Sequence, residues 1–436
     1  MSVGVRLPNR DGSLPCYRLV LLHDAKGKVL ALHPVDSLLN LSALWKQTDR
    51  KFQPIRSDDA KRFFGQDALK HEAGHFKLLA MQVFHTPELV EHKQIEIIEP
   101  HSGLVFTAPT AKITSGKSSA FAVTIDEIEA MRPEGSDVEA ITKAVERFTA
   151  LRVKQRLEDT LGLPSLSPTV KKIIELRSDP EAGVQELVPV VKVDPSLSAQ
   201  VMSWAASPYY AAPGKVTSID DAVIRVLGFD LVINMALGTA MGQLLNVPKT
   251  GPREGTPYWL QAVYNASLAE QLCKCMPSDI RPQPGIVYLA SLLHNFGYLV
   301  LAHLFPPHFN MLSRYFEANP HFPIYAIEQQ ILGLTREQIG SWLMSSWDLP
   351  EEVSTAIRYQ NNADYEGDYS PTVKLLYLAN HMLREKGLSD GPVEAIPDSV
   401  FMDLSIDRDQ AAKKLAVLIQ NDDDIRELTA VLEDQH

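Results

Sequence analysis

The chain has 436 residues, of which 45% are hydrophobic and 22% charged, and its formal net charge is −12. This length predicts two or three ordinary globular domains, and the acidic charge excludes broad, non-specific nucleic-acid binding. The sequence starts without an apolar signal segment, contains no uncharged apolar run of about 18 residues, and has too few cysteines for a disulfide framework. We therefore expect a cytoplasmic protein with reduced cysteines and no membrane span.

Residues 1–115 are predicted to form a small mixed α/β domain. Apolar runs with period 2, bounded by Gly, Pro or Asp, indicate strands in "YRLVLLHD", "AKGKVLALHP", "IEIIEPHSG" and "LVFTAP". The stretches "DSLLNLSALWKQT" and "SDDAKRFFGQ" predict two helices, which have Asp36 and Ser57 as N-caps, and the second of which ends at Gly65. Residues 1–120 hold 16 Lys and Arg against 12 Asp and Glu, so this part is basic although the whole chain is acidic.

The rest of the chain is predicted to be helical. Residues 116–155 form a charged helical linker, and residues 156–390 form an all-α domain of helices joined by short turns. Apolar residues at i, i+3, i+4 and i+7 predict helices in "SPTVKKIIELRS", "GVQELVPVVKV", "DPSLSAQVMSWAAS", "SIDDAVIRVLG" and "DLVINMALGTAMGQLL". Residues 391–436 add two amphipathic helices that pack on this domain. The predicted fold class is an α/β or α+β domain followed by an all-α domain.

Two short motifs match known sites only in part. "HEAGH" at residues 71–75 fits the zinc pattern H-E-x-x-H, which requires a continuous helix. Gly74 weakens a helix, and the neighbouring residues favour loop and strand, so we expect a coincidental match. "SGKSS" at residues 115–119 lacks the first glycine of a phosphate-binding loop, because Ala111 occupies that position. We expect a polar linker there.

Several stretches of the second half form a recognisable pattern. They are the opening Leu163-Pro164, the helix start at Asp194-Pro195, "WAASPYY" and "RVLG" before the next helix. Over about residues 155–390 the chain resembles the HDOD family, the HD-related output domain of bacterial signalling proteins. The resemblance implies a purely helical fold related to the HD phosphohydrolases. Those enzymes hold one or two divalent metals with His and Asp side chains, which activate a bound water.

The resemblance also marks where an HD phosphohydrolase has its metal ligands. The His-Asp dyad falls on His294 and Asn295 in "YLASLLHNFGYLVLAHLF". The other ligand positions fall on Gln261, Arg336, Gln360, Asn361 and Asn380. Only His294 keeps an imidazole, and no position supplies a carboxylate. Amide oxygens bind Zn, Mn or Fe weakly, and Arg brings a fixed positive charge. We therefore expect no metal site, no cofactor and no catalytic residue.

These seven residues have two interpretations. Apolar neighbours predict that His294 and Asn295 are buried, and buried polar groups need hydrogen-bond partners. In the first interpretation the polar side chains satisfy one another and only brace the helices. In the second, the amides and Arg336 line a pocket that binds a small polar or phosphorylated ligand without cleaving it. The seven are the candidate ligand-binding residues of this chain.

The first domain has a resemblance of its own. A strand, "ALHPVDSLLNLSAL" and then "DDAKRFFG" resemble the YbaK-type aminoacyl-tRNA editing domain of the prolyl-tRNA deacylase superfamily. In that family a Lys on an early strand helps to hold the substrate, and its nearest counterpart here is Arg18. The glycine-rich loop that follows in active members is replaced by "KHEAGHFKLL". Arg cannot lose its proton, so we expect a sensing or docking module in which Arg18 is a candidate pocket residue.

Three functions are compatible with these observations. The leading hypothesis is a non-catalytic bacterial regulatory protein that binds a signalling partner or a small polar or phosphorylated ligand and relays that event across the linker. The second is a metal-dependent phosphohydrolase of the HD superfamily. The third is aminoacyl-tRNA deacylase activity in the first domain, with tRNA as partner. Metal content and hydrolysis of a phosphodiester test the second hypothesis, and an assay with misacylated tRNA tests the third.

Overall fold

The computed structural model describes residues 14–121, 131–149, 161, 163, 166–179, 181–206, 210, 216–242, 244–249, 251–423, 425, 426 and 429. Within these residues a seven-stranded sheet is followed by a helical domain, which confirms the predicted fold class. Pro164, residues 207–209 of "WAASPYY" and residues 122–130 and 150–155 of the predicted linker lie outside the described residues.

The first domain is built on one mixed sheet. Its strands are β1 (Cys16–Asp24), β2 (Gly27–Pro34), β3 (Gln53–Pro54), β4 (Val83–His85), β5 (Gln94–Glu99), β6 (Leu104–Pro109) and β7 (Ser118–Ala120). The strand order is β6-β5-β1-β2-β4-β7, and β3 pairs with β1. Strand β1 is antiparallel to β2 and parallel to β5, so it lies inside the sheet.

Both faces of β1 are covered, which explains its almost continuous apolar sequence. Leu19 and Leu21 belong to a buried cluster formed with the short helices of the first domain. Val20 and Leu22 belong instead to the large buried cluster of the helical domain. Because successive side chains of a strand point to opposite faces, the sheet lies between its own helices and the helical domain.

Four short helices accompany the sheet: α1 (Leu41–Thr48), α2 (Ser57–Phe64), α3 (Glu72–Leu79) and α4 (Thr110–Thr114). Helix α2 ends with the C-cap Gly65, as predicted, but Ser57 is its first residue and Arg56 is its N-cap, so the prediction that Ser57 caps it was wrong. The prediction that Asp36 caps the first helix was also wrong. The side chain of Asn40 accepts a hydrogen bond from Ala43 N and caps α1, so the helix begins at Leu41.

The motif "HEAGH" forms the first turn of α3, and the predicted loop was wrong. Gly74 is required there because a Cβ would lie 1.8 Å from the backbone oxygen of Ala68. His75 Nε2 is hydrogen-bonded to Leu69 O at 2.7 Å, and its ring stacks on Phe106 at a centroid distance of 4.2 Å. In this helix His75 therefore serves packing.

The sheet extends beyond the predicted domain boundary at residue 115. Part of "SGKSS" forms β7, which pairs in parallel with β4, so the expectation of a polar linker was wrong. Helix α5 (Asp137–Phe148) is a described part of the predicted linker. Asp137 accepts hydrogen bonds from Gln338 Nε2 at 2.9 Å and from Arg358 Nε at 2.7 Å, so α5 is attached to the helical domain.

The helical domain follows the predicted periodicity. Its helices are α6 (Pro168–Ser178), α7 (Val184–Val193), α8 (Pro195–Ala206), α9 (Ile219–Asp221), α10 (Phe229–Gly242), α11 (Tyr258–Cys275), α12 (Pro284–Leu293), α13 (Phe296–Leu304), α14 (Pro306–Ala318), α15 (Ile324–Leu332), α16 (Arg336–Ser346), α17 (Glu351–Tyr359), α18 (Ser370–Glu385), α19 (Asp398–Leu404) and α20 (Arg408–Gln420). Helix α9 continues as a π-helix over Ala222–Leu227.

The centre of this domain is α12, which packs against α10, α11 and α17. Contrary to the expectation from the sequence, the segment Pro284–Leu304 is long and apolar enough to cross a membrane, but 89% of its most apolar window is buried inside the protein. A second segment, Ile219–Leu227 with Phe229–Met241, passes the same test only as a pair bent by 118°. Burial of this kind is typical of core helices.

Buried polar contacts join the two domains. Leu39 N donates to Asn319 Oδ1 at 2.8 Å, and Ser42 N donates to Tyr315 OH at 2.9 Å. Asn319 and Tyr315 are both fully or almost fully buried. Because buried donors and acceptors need partners, these contacts fix the helical domain against the first domain.

Candidate functional site

The candidate site lies where α12 ends. His294 and Asn295 occupy the break between α12 and α13. Gly297, in the first turn of α13, lets the backbone of Arg336 approach, since a Cβ there would lie 1.9 Å from Arg336 O. The sequence "HNFG" thus brings the start of α16 against the dyad position.

All seven candidate residues of the helical domain surround one cavity of about 220 Å³, which we call the dyad cavity. They are Gln261, His294, Asn295, Arg336, Gln360, Asn361 and Asn380. Six of them are buried, and Asn361 is partly exposed. The sequence pattern therefore identified side chains that meet in space, whereas their role in binding a ligand stays a prediction.

The dyad cavity has a further wall that sequence reasoning missed. Its residues include Arg132, Glu337, Tyr377, His381, Arg384, Asp390 and Glu394. Tyr377 and Arg384 lie one helical turn before and after Asn380 on α18, a spacing that could have indicated them. Asp390 and Glu394 belong to the irregular segment after α18, where no periodic pattern gives a signal.

Arg336 holds a positive charge beside the dyad position. Its Nη1 donates to Asn295 Oδ1 at 2.9 Å, and its Nε donates to Glu328 Oε1 at 2.6 Å. The guanidinium carbon lies 5.1 Å from the ring centroid of Tyr298 and 5.4 Å from that of Phe316. Burial raises the pKa of Glu328 to about 7, against the opposing effect of Arg336. Nearby carboxylates outweigh burial and raise the pKa of Arg336, which stays charged.

A chain of carboxamides connects four helices behind this charge. Asn265 Nδ2 donates to Asn380 Oδ1 at 2.6 Å, and Asn380 Nδ2 donates to Gln360 Oε1 at 3.3 Å. Gln360 Nε2 donates to the backbone oxygen of His294 at 2.8 Å. This chain links α11, α18 and α17 to the end of α12. That the polar side chains only brace the helices stays a prediction.

His294 is held as a neutral imidazole. Its Nδ1 lies 2.7 Å from Ser291 O and donates to it, which leaves the lone pair on Nε2. Burial lowers the pKa of His294 to about 4, and the charges of Arg384 and Arg336 act in the same direction. At neutral pH this ring carries no charge, and its Nε2 is a hydrogen-bond acceptor.

Gln261 and Asp390 form one edge of the dyad cavity. Gln261 Nε2 donates to Asp390 Oδ2 at 2.9 Å, and Asp390 N donates to Gln261 Oε1 at 3.1 Å. Thr256 N donates to Asp390 Oδ1 at 2.9 Å. Burial raises the pKa of Asp390. These bonds hold the segment after α18 over the cavity.

The cavity wall opposite Gln261 and Asp390 has polar groups without a hydrogen-bond partner in the described part of the chain. Arg384 Nη2 donates to Asn361 Oδ1 at 3.3 Å, and Asn361 Nδ2 donates to Glu337 Oε1 at 2.8 Å. The other oxygen, Glu337 Oε2, is buried without a hydrogen-bond partner among the described residues. Within the same residues, neither Arg132 nor Arg384 has a carboxylate oxygen within 4.0 Å. A bound molecule would supply the missing partners.

An HD-type metal centre does not fit this set of donors. The described residues contain no group of three or more His, Cys, Asp or Glu side chains placed to hold a metal ion. At the dyad, Asn295 Oδ1 already accepts a hydrogen bond from the Arg336 guanidinium. A divalent cation beside Asn295 would meet the positive charge of Arg336, and no carboxylate occupies the dyad position to bind it, which is strongly unfavourable in a buried site.

Arg18 does not line an open pocket in the first domain, and that prediction was wrong. It lies on β1 with 1% of its surface exposed, and its Nη1 donates to Ala318 O of the helical domain at 2.5 Å. The side chain is covered because the helical domain packs on this face of the sheet. Arg18 therefore joins the domains and is not placed to receive a substrate.

Comparison with known proteins agrees with this architecture. The model of the HDOD domain matches residues 163–363. A crystal structure from Marinobacter aquaeolei VT8, named "Putative signal transduction protein", is 36% identical with a TM-score of 0.83 and covers 99% of this chain and 97% of that chain. A structure from Shewanella amazonensis SB2B, named "Putative phosphohydrolase", is 21% identical with a TM-score of 0.50 and covers 66% of this chain and 98% of that chain, a likeness of fold alone.

A curated protein of Treponema pallidum (strain Nichols), named "Uncharacterized protein", is 24% identical over 275 residues, which is 62% of this chain and 51% of that protein. The chain thus matches about half the length of this relative. The similarity to the Marinobacter protein, in contrast, extends over nearly the whole of both chains. Together with the match to the domain model, this similarity shows that the chain belongs to the HDOD family.

Proposed function

We propose that this protein is a non-catalytic cytoplasmic signal-transduction protein of bacteria, which binds a small polar, phosphorylated ligand in the dyad cavity. A signalling role is supported by membership of the HDOD family and by the name of the Marinobacter relative. Binding without catalysis is supported by one observation above all. The Arg336 guanidinium bonds to Asn295, the residue that replaces the carboxylate of the dyad.

The chemistry of the cavity defines the class of ligand. Arg132 and Arg384 line the cavity without a carboxylate oxygen within 4.0 Å in the described structure, although Glu394 of the same cavity acts on both charges at longer range. Guanidinium groups of this kind bind phosphate oxygens. Glu337 Oε2, which has no partner among the described residues, and Nε2 of the neutral His294 ring are acceptors that a ligand can use. A phosphorylated molecule that also carries hydroxyl or amino donors satisfies both sets. The volume of about 220 Å³ restricts it to a small metabolite.

The walls of the cavity also provide a route for the signal. Glu337, which lines the cavity, lies on α16, and Arg358 lies on α17, which ends just before the cavity residue Gln360. Gln338 and Arg358 hold Asp137 of the linker helix α5. A ligand that moves the start of α16 therefore changes the contacts of α5. We propose that a partner protein recognises this change.

The proposal is tested with a ligand screen and a metal measurement on the full chain. Small phosphorylated metabolites, with inorganic phosphate as the simplest probe, are screened by thermal shift and measured by calorimetry. We expect Arg132→Gln to weaken binding of a hit by about tenfold, since one charged contact is lost. Arg147→Gln, an exposed arginine on α5 outside the cavity, is the matched control.

The same preparation is incubated with Mn²⁺, Fe²⁺ or Zn²⁺, desalted and analysed for metal. We expect less than one equivalent of metal and no hydrolysis of a phosphodiester substrate. Stoichiometric metal together with turnover would overturn the non-catalytic assignment. Binding that responds equally to Arg132→Gln and Arg147→Gln would remove the dyad cavity as the site.

A further inference from the structure

We propose that a second site, a cleft between the two domains, binds a nucleoside diphosphate. The interdomain cleft has a volume of about 850 Å³, within the range of about 300–1,000 Å³ found for small-molecule sites. Trp45 and Lys51 line it from the first domain, and Lys249, Tyr298 and Arg314 line it from the helical domain. Neither domain forms this cleft alone, so its occupant contacts both.

The charge of the cleft matches a polyphosphate. Its lining has four cations and one carboxylate, namely Lys51, Lys249, Arg253 and Arg314 against Asp390. Arg253 and Arg314 share the carboxylate of Glu317, at 2.6 and 2.9 Å. No carboxylate of the described residues lies within 4.0 Å of the ammonium group of Lys51 or Lys249. These two charges are available for a ligand, and phosphate oxygens compensate them.

Aromatic side chains in the same cleft match a planar base. Trp45 Nε1 donates to Phe52 O at 2.8 Å, which fixes the orientation of the indole. Tyr298 and Tyr258 are nearly parallel, with an interplanar angle of 14° and a centroid distance of 6.3 Å. Bases stack on such rings largely independently of their identity. A simple anion would need only the cations. Because the cleft offers both aromatic rings and free cations, it fits a nucleotide better than a simple anion.

The position of the cleft gives its occupant influence on both domains. Arg253 Nη2 donates to Pro54 O of β3 at 2.6 Å, so the residue that closes one side of the cleft also links the domains. Gln261, Asn295 and Asp390 line the cleft and the dyad cavity alike. A nucleotide in the cleft therefore touches the wall that the two sites share.

The test measures binding of the four common ribonucleoside diphosphates to the full chain by calorimetry at low ionic strength. Two kinds of probe serve for comparison: pyrophosphate, which lacks the nucleoside, and the free nucleosides, which lack the phosphates. We expect at least one diphosphate to bind more tightly than either part. We expect Lys51→Gln with Lys249→Gln to weaken that binding about tenfold. Lys46→Gln with Lys386→Gln, exposed lysines outside the cleft, is the matched control.

Both cleft lysines are exposed, so the double variant is expected to fold, and Lys51→Gln alone provides a second measurement. The proposal is overturned if none of the four diphosphates binds at millimolar concentration, or if the cleft and control variants behave alike. It is also overturned if Arg132→Gln, and not the lysine pair, weakens the binding. That last result would place the nucleotide in the dyad cavity and leave the proposed function intact.

Discussion

At the scale of single residues, two replacements of HD metal ligands lie in direct contact at the dyad position. Asn295 is an acceptor without charge, and Arg336 is the cation that bonds to it. The sequence indicated both residues, because each falls on a position of the HD pattern. The pattern E-x-x-x-x-G-x-x-H that indicated Arg336 begins at Glu328, which lies fully buried behind Arg336, but the spacing alone did not show that the two side chains form an ion pair.

The buried ion pair gives a stability prediction. Arg336→Ala leaves Glu328 buried without its partner, and we expect the free energy of unfolding to fall by about 3–5 kcal/mol. Urea denaturation measures this change. The double variant Arg336→Ala with Glu328→Gln removes the uncompensated charge, so it should be more stable than the single variant. Equal stability of the two variants would show that Arg336 does not stabilise the buried charge of Glu328.

At the scale of elements, hydrophobic periodicity predicted the strands β1, β2, β5 and β6 and most of the helices, because a covered face leaves a repeat in the sequence. Elements too short to show a repeat were missed. Strand β7 has three residues and forms only because β4 lies beside it. Helix α3 contains Gly74, which weakens a helix in isolation but permits a close tertiary contact with Ala68.

A comparable contact at Gly297 gives the second prediction. Alanine there would place its Cβ 1.9 Å from Arg336 O, so the start of α16 must move away from the dyad. We expect Gly297→Ala to lower the free energy of unfolding by about 1–3 kcal/mol, although alanine favours a helix. Thermal denaturation with Gly116→Ala as control, whose Cβ meets nothing closer than 3.5 Å, measures the difference. Equal effects would contradict the close approach.

At the scale of the whole molecule, the contact between domains could not be predicted from the sequence. Arg18 and Ala318 are 300 positions apart, and a local pattern contains no information on such a pair. Around Arg18 the interface holds buried histidines. His33 is fully buried, its ring centroid lies 6.3 Å from that of His321, and its Nδ1 lies 2.9 Å from Ser37 Oγ.

These histidines make the assembly of the domains sensitive to acid. Burial, with the charge of Arg18, lowers the pKa of His33 to about 3, and burial also lowers the pKa of His321. A group whose pKa is depressed in the folded state stabilises the fold above its unfolded pKa of about 6.5 and loses this effect as the pH falls. We expect the free energy of unfolding to decrease from about pH 6.5 towards pH 4.

The contribution of His33 is isolated by comparing the wild type with His33→Asn, whose amide can replace the hydrogen bond to Ser37. Buried carboxylates such as Glu328 act in the opposite sense in both proteins, so the difference between the two curves reports His33. We expect the variant to lose less stability on acidification, as measured by urea denaturation at several pH values. Parallel curves would show that His33 does not titrate on unfolding.

The double covering of β1 restricts how this protein can be divided or recombined. Val20 and Leu22 are shielded from solvent only when the helical domain is present. Expressed by itself, the first domain would display an apolar sheet face and tend to associate with other chains. A fusion that exchanged the helical half for an unrelated domain would meet the same obstacle, so the two halves are expected to be inherited together.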